Sequence, residues 1–91
     1  MDERDLRKLV VLDILRPGRT RYADALAEYE RRAGVAVRPA EEAFADLVHE
    51  LIADKLIDSE ADHAAPFHLA ALWLRAKGTA WLNEGGPTGW L

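Results

Sequence analysis

Three arginines stand where a nucleic-acid phosphate could be met. Arg19 and Arg21 precede one helical pattern, and Arg38 precedes another. Phosphate contacts come mainly from Lys and Arg, and helix N-termini add backbone N–H groups to them. The stretch that follows Arg38 turns Glu42, Asp46 and His49 to its polar side, with Ala45 and Ala53 beside them. A carboxylate can accept from cytosine N4, so these three side chains are candidates for facing a DNA groove. The same stretch, from Pro39 to Asp54, carries Glu41, Glu42, Asp46, Glu50 and Asp54 and no Lys or Arg. DNA affinity draws heavily on cations that neutralise phosphates. An acidic helix of this kind also suits a basic protein surface. Two partners are therefore carried forward: double-stranded DNA and a basic protein.

Other chemistry is thinly represented. His49 with Asp46 or Glu50, and His63 with His68 and Asp62, are the groups that could begin a metal or acid–base site. A metal site needs three or four convergent ligands, and His63 and His68 flank a loop containing Pro66 without paired helical spacing. Ser59 is the single serine, outside any nucleophile motif, and no Gly-rich phosphate loop occurs. The expectation is a non-enzyme without cofactor or metal. Of the tryptophans, Trp73 reads as core. Trp81 either packs beneath the last helical turn or meets a partner such as a second copy. Trp90, on the tail GGPTGWL, is a candidate partner anchor or a loose end. Arg31 and Arg32 read as helix-end cations rather than as a binding pair.

These residues must be positioned by a small scaffold. The chain has 91 residues, nearly half of them apolar, which suffices for one domain with its own core. With no cysteine, disulfides and thiolate metal sites are excluded. No apolar run approaches the length of a bilayer span, and no signal-peptide cleavage pattern follows the charged N-terminus. The expectation is a soluble cytoplasmic protein without a membrane partner. The net charge of −4 is unevenly spread: residues 1–38 hold nine Lys or Arg and seven acids, whereas residues 39–65 hold Lys55 and eight acids. The two halves should present surfaces of opposite sign.

Periodicity places the elements. Leu6, Leu9, Val10 and Ile14 predict a helix over about residues 3–15, stopped by Pro17-Gly18. Thr20 is a suitable N-cap for a second helix from about Tyr22 to Ala33, with Tyr22, Ala25, Leu26 and Tyr29 inward and Gly34 after its end. Val35-Ala36-Val37 predicts a short extended piece. Phe44, Leu47, Val48, Leu51 and Ile52 predict the inner face of a third helix from Pro39 to about Asp54. Residues 56–59 and 67–73 predict a hairpin around the loop SEADHAAP, and TAWLNE a last turn or two of helix. Three helices with a two- or three-stranded wing make a mainly α winged helix-turn-helix, here over residues 1–83, with 84–91 as a tail.

From Leu12 onward the chain resembles the PadR and MarR type of winged-helix regulators. The stretch LDILRPGRTRYADALAEYERRAGVAVRP is similar to the family's apolar helix, short turn with Tyr, and following Tyr-x-x-x-Leu helix. Phe44, Leu47 and Leu51 resemble the anchors of its recognition helix, Asp54-Lys55-Leu56-Ile57 the entry to its wing, and Leu74-Arg75-Ala76-Lys77-Gly78 with Leu82 its Leu-Thr-x-x-Gly-x-x-x-Leu segment. The resemblance covers about residues 6–83. It implies sequence-specific DNA binding in transcription control, usually as a dimer. The alternative is a winged helix that contacts protein through its acidic third helix and wing and does not bind DNA directly.

Overall fold

The structure, a computed structural model, describes residues 3–33, 38–60 and 70–86, leaving out the side chains of Ala33 and of residues 38–41. The extended piece expected at 35–37, the loop SEADHAAP apart from its first two residues, the start of the returning strand at 67–69, and residues 87–91 lie outside the described residues. In chain order the elements are α1 (Glu3–Ile14), β1 (Thr20–Arg21), α2 (Tyr22–Ala33), α3 (Arg38–Ala53), β2 (Ile57–Ser59), β3 (Ala71–Leu74) and α4 (Ala76–Glu84). The protein is mainly helical with a small antiparallel sheet of order β1-β3-β2. Among the described residues no helix is long and apolar enough to cross a membrane.

The helices form where apolar residues recur at helical spacing, with one rotation of detail. The buried residues of α1 are Lys8, Val11, Leu12 and Ile14, followed by buried Leu15 just after its end, while Leu6 is 52% exposed and Leu9 and Val10 are only partly covered. The inner stripe thus passes through a lysine, whose four-carbon stem can be buried while its ammonium finds a partner. Tyr22, Ala25 and Tyr29 of α2 face Phe44, Leu47, Val48 and Leu51 of α3, as their spacing indicates. Phe44 is the aromatic centre: the rings of Tyr22 and Tyr29 lie 5.1 Å and 5.3 Å from its ring, the former edge-on. Such pairs add about 0.5–1.5 kcal/mol beyond the area they bury.

Thr20 does not cap α2. It lies in β1, where it pairs with Leu72 and its hydroxyl donates to the Gly18 carbonyl at 3.1 Å. The first amide of α2 is satisfied by the residue before β3 instead, Tyr22 N–H donating to the Ala70 carbonyl at 2.8 Å. A strand therefore precedes α2, a position where the residue pattern indicated none. Two residues are too few for alternation to register. Gly18, at φ 136°, supplies the turn between α1 and β1.

Helix α3 closes on a Schellman motif: Leu56 N–H donates to Leu51 and Lys55 N–H to Ile52. Lys55 takes the left-handed position, at φ 64°. Next, β2 pairs with β3 in the register Ile57 with Leu74, Asp58 with Trp73 and Ser59 with Leu72. Helix α4 begins three residues before the expected TAWLNE segment and runs to Glu84, one residue past the boundary expected at 83. It comes so close to the turn after α3 that a Cβ on Gly78 would sit 2.1 Å from the Leu56 carbonyl oxygen. Gly85 ends it in the left-handed conformation, with both Gly85 and Gly86 donating to the Trp81 carbonyl.

Candidate functional site

The outward face of α3 brings three of the expected side chains together. Glu42, Asp46 and His49 are all exposed, at the i, i+4, i+7 spacing that continues to exposed Ala53. Phe44, Leu47, Val48 and Leu51 on the opposite side are buried, so the stripe points away from the core. No other described residue supplies a cation to this stripe within α3.

The arginines expected at phosphates are not brought together in the same way. Arg19 sits before β1, its guanidinium 4.5 Å from the Trp73 ring centroid and its Nη2 2.8 Å from Glu60 Oε2. Glu60 is itself tied to β3: its other carboxylate oxygen accepts from Ala71 N–H at 3.0 Å, and its own amide donates to the Ala71 carbonyl. Arg19 is thus committed to the sheet, and Trp73 is half-buried beneath it rather than in the core. Arg21, opposite Ala71 in β1, is exposed and has no Asp or Glu partner among the described residues. The backbone of Arg38 opens α3, but its side chain lies outside the description.

The tryptophan candidates separate. Trp81 is 7% exposed and belongs to the core cluster, with the Lys8 ammonium 5.9 Å from its ring centroid. That ring is covered by α1, so the partner contact considered for Trp81 is corrected to a core position. Trp90 lies outside the described residues, as do His63, His68 and Asp62. Among the described residues no group of three or more His, Asp or Glu could hold a metal ion.

A charged junction between α1 and α3 was not legible as a group in the sequence. Glu50 receives Arg4 Nε at 2.7 Å and the Lys8 ammonium at 2.6 Å. These two cations, Arg4 first and then Lys8, hold the Glu50 carboxyl down from 4.5 to about 2. The signal that could have found it is Lys8 itself, which shares the i, i+3, i+4, i+7 pattern with Val11, Leu12 and Leu15. A second junction joins α1 to α2: Asp13 accepts from Arg32 at 2.7 Å and from Arg16 at 2.9 Å, and both hold its carboxyl below the usual range. Glu28 is likewise held down, by Arg31 first, so Arg31 and Arg32 have the intramolecular pairing that their helix-end place suggested.

Comparison of the chain with protein-family models, with curated proteins and with solved structures gives no match.

Proposed function

We propose that this protein is a winged helix-turn-helix domain that binds double-stranded DNA and acts in transcription control, in the manner of the PadR and MarR regulators it resembles. The order α1-β1-α2-α3-β2-β3-α4 with sheet order β1-β3-β2 supports the fold: α2 and α3 form the helix pair and β2–β3 the wing. The observation that carries the function is the uncovered face of α3. Glu42, Asp46 and His49 are exposed on the side of α3 opposite its buried face, the side that would enter a major groove. There the two carboxylates suit cytosine amino groups, and the phosphate contacts are assigned to Arg21, exposed in β1, and to Arg38 from its place in the chain at the start of α3. The test is fluorescence anisotropy with duplex DNA at rising salt. Binding that falls steeply with salt, and that weakens and loses slope in Arg21→Gln and Arg38→Gln, supports the reading. Unchanged affinity in both variants counts against these two contacts, and no binding at low salt counts against DNA altogether.

A second reading has its own observation. Arg19, one of the expected phosphate contacts, is engaged by Glu60 and Trp73, and the open stripe of α3 is acidic. A basic protein surface would fit that stripe without help from other cations. Under this reading Glu42→Lys with Asp46→Lys abolishes a partner interaction. A double variant that gains DNA affinity and keeps every partner removes its support.

A further inference from the structure

The described cations are unevenly committed. Apart from Arg21, every arginine or lysine with a described side chain is held by a carboxylate, except three at one corner of the molecule. Those three are Lys55, Arg75 and Lys77, and all are exposed. Among the described residues none has an Asp or Glu side-chain partner.

The fold draws them together from two chain segments. Lys55 lies in the turn that ends α3, between Asp54 and Leu56. On one side of it the Leu56 carbonyl accepts from Arg75 N–H at 3.0 Å. On the other, the Asp54 carbonyl accepts from the Lys77 ammonium at 3.1 Å. The backbone of Gly78 is pressed against that same Leu56 carbonyl, which fixes the spacing of the two segments. One of the three ammonium donors of Lys77 is used in this contact, leaving two for a ligand. Lys55 occupies a left-handed position at φ 64°, where glycine would be less strained. The local backbone therefore does not favour a lysine there. Asp54 is the one acid in the turn, so the corner keeps an excess of positive charge.

We infer that Lys55, Arg75 and Lys77 form a phosphate-contact patch for duplex DNA at the C-terminal end of α3. This rests on the DNA reading above and supplies the cations that α3 itself lacks. A helix of 16 residues is about 24 Å long, whereas the major groove is about 12 Å wide. When its middle lies in the groove, its ends approach the flanking phosphate strands. Charge at the end of α3 then offsets the repulsion of Glu42 and Asp46 without occupying the groove.

The experiment is a salt titration of binding to a fluorescein-labelled random-sequence duplex. It compares the wild type with Lys55→Gln/Arg75→Gln/Lys77→Gln and with Arg31→Gln, whose charge Glu28 already holds. The triple variant should bind more weakly, with a slope of log K against log salt shallower by about 2–3, while Arg31→Gln keeps the wild-type slope. Lys55→Gln/Arg75→Gln leaves the Lys77–Asp54 contact in place and should show roughly two-thirds of that change. This guards against a folding defect in the triple variant. A wild type that binds DNA, with both patch variants retaining its slope, overturns the patch and leaves the DNA reading standing. A wild type that does not bind at low salt overturns both.

Discussion

Replacing Glu50 with glutamine isolates one charge at the contact between α1 and α3. The carboxylate holds two cations, and Lys8 has only 9% of its side chain exposed against 33% for Glu50. Lowering a carboxyl from 4.5 to about 2 corresponds to a ceiling of about 3.4 kcal/mol of folding stability. A third of the Glu50 side chain is open to solvent and salt, so screening reduces this to about 1–2 kcal/mol. The sign follows from linkage. The folded-state value is the lower one, so between about 2 and 4.5 the unfolded chain binds the proton more readily. The contribution is therefore complete above about 4.5 and disappears as pH falls towards 2. Glu50→Gln should cost about 1–2 kcal/mol near neutral pH, and less than half of that by about pH 3. Urea denaturation followed by tryptophan fluorescence reads both values. An equal difference at the two pH values, or none near neutrality, would refute the assignment of the charge. A double-mutant cycle sharpens the test. In a Lys8→Met background the ammonium over Trp81 is gone, so Glu50→Gln should cost less than it does in the wild type.

Two further variants probe the backbone at the α3–α4 corner. Gly78→Ala puts a Cβ 2.1 Å from the Leu56 carbonyl oxygen and 3.3 Å from Leu12 Cδ2. It should destabilise by about 1–3 kcal/mol, seen as a Tm lower by roughly 10 °C, and a wild-type Tm would mean that α4 does not press on that carbonyl. Lys55→Gly relieves a left-handed φ of 64° and should stabilise by about 1 kcal/mol while weakening DNA binding. A variant that melts lower would contradict the strain, and one that binds DNA as before would contradict the patch.

The parts of the fold that depend on neighbours along the chain were legible in the residues. The boundaries of α2 match the span read from Tyr22 to Ala33, and the buried face of α3 is the one marked by Phe44, Leu47, Val48 and Leu51. The stripe Glu42-Asp46-His49 follows from the same arithmetic, since whatever is not on the inner face of a helix faces outward. Helical spacing is a local property, carried by residues within two turns of one another.

What depends on chain closure was not legible. Strand β1 exists because Thr20 and Arg21 meet β3, and a two-residue pairing leaves no pattern of its own. Arg19 looked available for phosphate until folding set it against Glu60, 41 positions away, and Trp73. Glu50 looked like one more acid of α3 until α1 brought Arg4, 46 positions away, and Lys8 to it. Lys55 was a single cation among acids until the turn after α3 met the segment of Arg75 and Lys77. The residues by themselves determined which faces of the helices are apolar and which are charged, because that is set by composition and a fixed 3.6-residue period. Only the tertiary structure decided which charges neutralise one another, because an ion pair depends on a distance of a few ångströms that packing alone establishes.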